Sequence, residues 1–279
     1  MSHEKVIPTA WLIAHCRTYT DIPFSKEIFD ELEKIRTEKG EVIDPVLKEN
    51  ILAPQFEARY KLAKRLVIEN RSTQVLELAA GLTPRGMEMS SDSNIIYVET
   101  DFPELIEEKR RMVKKFGIDH ANLYLEHANA LNLYEIMQAC RHFDENKPLT
   151  IINEGLLRYM TFPEKTQVAK NVHMILEKFG GVWITPDISK KRSQQDTKVV
   201  GHTMRDKMNE LTGINIDNNL FDGEEHAKQF FQDLGFIVER HSFMEEINSI
   251  VSPRILNIPD EKVEAMLNRA QVFVMRLKS

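Results

Sequence analysis

From residue 74 to the C-terminus, short apolar runs of β character alternate with helix-like stretches, and this alternation admits few architectures. A strand that reaches a parallel neighbour through a helix must cross over, which builds a mostly parallel sheet with helices on both faces. Seven runs read as strands, at residues 74–79, 94–100, 122–126, 149–153, 182–188, 236–242 and 271–277. Pro103 opens a helix to about residue 116, because the first helical turn needs no N–H donor at that position. A second helix follows Pro163 and stops at Gly180-Gly181, and a third, 224–234, stops at Gly235. Residues before 74 offer no strand; 11–19, 24–36 and 54–69 read as helices. The expectation is one α/β domain, doubly wound, with a helical N-terminal cap (1–55) and a core (56–279). The cap serves either as a lid over a ligand or as packing that lengthens the core. Inserts near 189–223 and 244–270 are expected over the C-terminal edge of the sheet, where such folds bind ligands.

The first strand and its turn carry the chemistry. Val75-Leu76-Glu77-Leu78 ends in Ala79-Ala80-Gly81-Leu82-Thr83-Pro84-Arg85-Gly86. Small residues here let the backbone approach a ligand that a bulky side chain would displace. The Gly-x-Gly-x-x-Gly of dinucleotide sites is missing, since Ala79 and Ala80 hold its early positions. That weakens the competing reading as a nucleotide-dependent oxidoreductase. At the end of the second strand, Glu99 and Asp101 stand two apart and so share a side of an extended chain. An acid about 20 residues past such a turn is placed to accept from a ribose diol.

Three segments in order resemble the leucine carboxyl methyltransferase family, in particular its bacterial branch related to polyketide O-methyltransferases. Glu77 to Arg85 resembles its Glu-Leu-x-x-Gly-Leu-x-x-Arg loop, and Glu99 to Ile106 its Glu-x-Asp-x-Pro-x-x-Ile segment. Glu154-Gly155-Leu156-Leu157-Arg158-Tyr159-Met160 resembles its Glu-Gly-Leu-x-x-Tyr-Leu block. The likeness covers about residues 10–190 and implies a seven-stranded, Rossmann-like methyltransferase sheet whose last strand inserts antiparallel. It implies S-adenosyl-L-methionine (SAM) as cofactor and S-adenosyl-L-homocysteine (SAH) as product. On this basis Asp101 would hold the ribose hydroxyls with Glu99 beside it, and Ala79 and Gly81, following Glu77, would pass under the methionine portion. Arg59, and Arg17 less directly, would reach its carboxylate as a charge-assisted fork. Glu154 would meet the ammonium or the loop that holds it. Asn129 and Ala130 fall where the family places Asp-Leu near adenine, so Asn129 is a departure whose side-chain oxygen can still accept from the adenine amino group. Tyr19 and Tyr159 are candidates for acceptor contact.

Methyl transfer from a sulfonium is an in-line displacement that depends on alignment. A carboxylate acceptor needs no general base, whereas a hydroxyl benefits from one. His15 and His173 are isolated, and neither is assigned as a base, so no catalytic residue is named. The acceptor is expected to be a small molecule bearing a carboxylate or hydroxyl. A protein C-terminal carboxylate and a silent SAM-binding regulator are the alternatives.

Other chemistries lack their signatures. A net charge of -6 gives no basic surface for nucleic acid or an anionic membrane. No window carries the roughly 18 apolar residues of a membrane span, and the first residues lack a secretory signal. Cys16 and Cys140 make neither a disulfide framework nor a cysteine-rich zinc site, and a reduced cytoplasm is expected. The stretch from Asp217 to Gly223 misplaces the glycine and the final Glu of a calcium loop, so no metal is expected.

Overall fold

The computed structural model describes residues 7–40, 49–191 and 216–278. Its single sheet contains β1 (Gln74–Leu78), β2 (Ile96–Asp101), β3 (Leu123–His127), β4 (Leu149–Asn153), β5 (Gly181–Thr185), β6 (Phe236–Ser242) and β7 (Gln271–Leu277). The order is β3-β2-β1-β4-β5-β7-β6. The first five strands pair in parallel, and β7 lies antiparallel between β5 and β6. The expected antiparallel last strand is therefore present.

Alternation along the strands explains the two layers of helices. Val75, Tyr97, Ile152, Ile184 and Val274 belong to one apolar cluster with α3 (Ala53–Glu69) and α10 (Asp260–Leu267). Their neighbours Leu76, Val98, Ile151, Trp183 and Phe273 face the other way, onto α6 (Leu133–Ala139), α7 (Phe162–Phe179) and α8 (Glu224–Asp233). Successive side chains point to opposite faces, so both faces must be apolar and both must be covered.

Register sets the site. Leu78 pairs with Thr100 on one side and Asn153 on the other. The residues that follow, Ala79, Asp101 and Glu154, therefore leave the sheet side by side. They do so where the chain order reverses between β1 and β4, the crevice in which open α/β sheets bind ligands.

The N-terminal helices α1 (Ile7–Arg17) and α2 (Ser25–Glu38) lie above this edge. Trp11, Leu12 and Cys16 pack on Ala53 and Phe56 of α3, and Ile28 packs on Leu82, Met87 and Met112. Met112 belongs to α5 (Pro103–Lys115), so α2 spans from the turn after β1 to that helix. The third N-terminal helix, α3, packs on the sheet with one face and meets the cap through Ala53 and Phe56.

Several short helices escape the sequence pattern. The first, α4 (Arg85–Met89), opens where the turn was expected to continue. The second, α6, is capped by the Asn132 side chain, which accepts from Tyr134 and Glu135 N–H. Residues 243–270 carry α9 (Ser252–Ile255) and α10 and fold against α3. Glu57 of α3 accepts Val251 and Ser252 N–H at 2.9 Å each. Of the 189–223 insert, 192–215 lie outside the described residues; Lys190 bridges to Phe221. Among the described residues no helix is long and apolar enough to cross a membrane, and no group of acids, His or Cys could hold a metal.

Candidate functional site

Between the cap and the strand ends lies a cavity of about 210 Å³. Its floor is the β1 turn, Ala79 to Thr83; one end holds Arg17, Arg59 and Glu154, and the other Asp101, Phe102 and Leu105. Trp11, Ala14, Leu32 and Ile35 roof it, and Gly155, Leu156 and Tyr159 close the side next to β4.

Two residues of the floor have left-handed backbones, Ala79 at φ 52° and Gly81 at φ 55°. For alanine this conformation is strained by about 1–2 kcal/mol. A Cβ on Gly81 would meet no atom within 4 Å, so its small size keeps space open at the surface of the turn. Asp101 holds the turn from the neighbouring strand. Its Oδ2 accepts Gly81 N–H at 2.7 Å and its Oδ1 accepts Phe102 N–H at 2.8 Å. Hydrogen-bonded in this way, the carboxylate faces the cavity at 6% exposure.

At the opposite end three guanidiniums converge on one carboxylate. Arg17 Nη2 and Arg59 Nη2 each stand 2.7 Å from Glu154 Oε1, and Arg85 pairs with Glu154 Oε2. The other arm of Arg85 reaches Glu77, which also accepts the Tyr97 hydroxyl at 2.6 Å. Burial by itself would push the Glu154 carboxyl up, but Arg59, Arg85 and Arg17 together hold it well below the usual range. Burial lowers Arg17 in turn, with Glu154 opposing and Arg59 and Arg85 adding to the effect. Three buried cations face two buried carboxylates, Glu154 and Glu77, which leaves one positive charge uncompensated in the group. The Arg59 contact has ion-pair distance without hydrogen-bond geometry, and Arg59 Nε and Nη2 and Arg17 Nε find no acceptor among the described residues. Unpaired buried donors of this kind are costly, and an anion entering beside them would satisfy them.

The sequence placed Arg17, Arg59, Ala79, Gly81, Asp101, Glu154 and Tyr159 at one site, and all seven line the cavity. Glu77 and Glu99 do not: both are fully buried beneath the turn. Glu99 accepts Gly86 N–H at 3.0 Å and pairs with Lys109, whose Nζ also donates to Thr83 O. The shared side predicted for Glu99 and Asp101 therefore brings only Asp101 to the cavity, because β2 ends there and Glu99 points under α4. Asn129 and Ala130 are also outside the cavity lining. Asn129 Oδ1, expected to be available to adenine, accepts Leu131 N–H at 3.0 Å, and its own N–H is taken by Glu135 at 2.7 Å. Tyr19 sits edge-on to His15 in the cluster between α1 and α3 and is not in the lining. The 244–270 insert, expected over this edge, contributes nothing to the lining either.

Arg85, Lys109 and Asp187 were not singled out from the sequence. Arg85 closes the quoted Glu-Leu-x-x-Gly-Leu-x-x-Arg pattern and was legible there. Lys109 lies on a helix rich in charged residues, yet it is 1% exposed.

The model of the leucine carboxyl methyltransferase family matches residues 29–173, just over half of the 279. No curated protein sequence matches the chain. Among solved structures, a candidate methyltransferase from Thermobifida fusca superposes with TM-score 0.57 at 16% identity, over 97% of this chain and 94% of its own. The magnesium protoporphyrin IX methyltransferase of Synechocystis, solved with SAH, gives TM-score 0.52 at 11% identity, over 91% and 96%. Against a candidate O-methyltransferase from Nostoc punctiforme the TM-score is 0.50 at 14% identity, over 83% of this chain, which spans only 59% of that one. At such identities these likenesses speak to the fold.

Proposed function

This chain belongs to the leucine carboxyl methyltransferase family, a family of SAM-dependent methyltransferases, and from that premise we propose that it methylates an oxygen of a small molecule. The acceptor group is a carboxylate or a hydroxyl, and the methyl moves by in-line displacement. SAM, when bound, supplies an electrophilic sulfonium methyl group.

The observation that carries this reading is the polarity of the cavity. Among the described residues, one end holds an uncompensated buried cation beside donors without acceptors, the other a carboxylate fixed by backbone N–H groups, and small residues lie between. An amino-acid carboxylate matches the first end and a ribose diol the second. Arg59 and Arg17 bind the carboxylate, Glu154 orients their guanidiniums, and Asp101 accepts from the ribose. Gly81 leaves room for close backbone approach. The cap residues Trp11, Leu32 and Ile35 exclude water, so α1 and α2 act as a lid on this reading. Positioning of this kind can supply much of a displacement's acceleration. No side chain is assigned as a base. Two buried free thiols, Cys16 and Cys140, fit a reducing cytoplasm.

The test is calorimetric titration with SAM, SAH and NADH, followed by transfer of labelled methyl to panels of small carboxylic acids, phenols and C-terminal peptides. Binding of both adenosyl compounds without NADH, then labelling of a small molecule, is the expected result. NADH binding alone would overturn the cofactor. Labelling of peptides only would move the acceptor to protein carboxylates, and cofactor binding with no acceptor labelled would favour a silent regulator.

A further inference from the structure

We propose that Asp187, two residues past β5, is a positioning residue for the amino-acid end of the cofactor; this rests on the function proposed above. Asp187 is 3% exposed and is not itself part of the cavity lining. Its carboxylate accepts three consecutive backbone N–H groups directly after Glu154: Gly155 at 2.8 Å, Leu156 at 2.6 Å and Leu157 at 3.0 Å. Successive N–H groups turned inward form a nest that favours an anion, and here the chain supplies its own. A fourth donor, Asn153 Nδ2, reaches the same carboxylate at 2.8 Å.

The rest of the network leaves this arrangement little freedom. Asn153 Oδ1 accepts the Trp183 indole N–H at 2.7 Å, and Thr185 Oγ1 accepts both Asn153 Nδ2 at 3.0 Å and Asp187 N–H at 3.2 Å. Every member except the half-buried Gly155 is buried, so each lost partner leaves a polar group with little water to replace it. Gly155 holds φ 82°, a conformation that the bonded N–H groups on either side of its peptide maintain. The consequence lies upstream and downstream of the nest. Glu154 precedes it and carries Arg17, Arg59 and Arg85; Tyr159 follows it and walls the cavity. A loop free to move by an ångström would carry Glu154 and its arginines with it.

Asp187→Asn keeps size and removes the capacity. The amide has one acceptor oxygen against four donors, and its own NH₂ would face N–H groups. The measurement is the Kd of the folded variant for SAH and for methylthioadenosine, which has the nucleoside and thioether but no amino-acid group. Expected is a loss of about tenfold or more for SAH with methylthioadenosine changed less than about twofold. The SAH-induced rise in melting temperature should shrink in parallel. Equal losses for both ligands, or no loss, would overturn the proposal and leave Asp187 a general stabiliser. Should Asp187→Asn not fold, Thr185→Val, which removes only the hydroxyl linking Asn153 and Asp187, carries the same comparison. It should give a smaller SAH-selective loss, and an equal loss or none would overturn the proposal. A native protein that binds neither ligand would instead sink the cofactor reading on which this one stands.

Discussion

Gly86→Ala should destabilise this protein, although the general rule for a glycine in a helix has the opposite sign. Gly86 lies in α4, where alanine is ordinarily favoured by about 1 kcal/mol. A Cβ there would stand 2.2 Å from Glu99 Oε1 and 2.8 Å from its Cδ. Glu99 is fully buried on β2 and cannot retreat: Oε1 accepts Gly86 N–H and Oε2 pairs with buried Lys109. Forcing an extra methyl into a packed site costs about 1–3 kcal/mol. Pulling one partner from a buried ion pair costs about 3–5 kcal/mol. These terms overlap because one movement of the carboxylate incurs both. Less the helix gain, the net loss is about 2–4 kcal/mol. Urea unfolding reads it as a lower midpoint at unchanged slope. A variant as stable as the parent, or more so, would refute the claim that Glu99 and Lys109 lock the turn from beneath. Lys109 also donates to Thr83 O in the cavity floor, so SAH binding should weaken along with stability.

Two substitutions at opposite ends of the cavity should separate by ligand. Arg59→Met should weaken SAH by about 10- to 150-fold, as expected for one charge-assisted hydrogen bond, and leave methylthioadenosine unchanged; Asp101→Asn should weaken both alike, because both carry the ribose. A uniform effect of Arg59→Met would mean that it does not meet the amino-acid group. Lys165 offers a pH test: burial pushes its ammonium down to about 8, against the pull of Asp187 and Glu164. Its folded value lies below the unfolded one near 10.4, so the unfolded chain binds more protons between them and stability rises with pH across that window. The stability of the parent relative to Lys165→Met, followed by urea unfolding from pH 7 to 10, should therefore shift in favour of the parent, and a shift towards the variant would contradict the burial.

What the sequence disclosed was governed by range along the chain. Strands β4, β6 and β7 were read to the residue, because apolar runs bounded by Pro, Gly and polar residues are local signals. Helix α6 was missed: seven residues after an Asn cap give too little period to recognise. The cluster of Arg17, Arg59, Arg85 and Glu154 draws on four separate elements, and only the resemblance pointed to three of its members. Asn129 shows a related limit of range. Its identity allows an adenine contact, while the turn after β3 already engages one lone pair of its oxygen with Leu131 N–H. Asp187 had no signal at all, since a lone acid after a strand reads as solvated until the three N–H groups it accepts are located.

Glu77 and Glu99 show why acids at strand ends can be right in place and wrong in role. Each stands at a β-strand terminus near the cavity, and each is spent on a buried cation: Arg85 for Glu77, Lys109 for Glu99. Buried ion pairs seldom stabilise more than apolar residues of the same volume would. Thermodynamic stability therefore gives no reason to keep two of them beneath one short turn. Geometry does. The pairs act on the turn from Ala79 to Gly86, whose left-handed Ala79 and Gly81 are positions that an unsupported backbone would leave. Lys109 fixes Thr83 O, Glu99 fixes Gly86 N–H, and Arg85 carries the constraint across to Glu154. Asp187 then fixes the far side of Glu154 through the next three N–H groups. The cavity floor and its cationic end are thus parts of one buried polar network. Loosening any single pair should therefore be felt in ligand geometry as well as in unfolding.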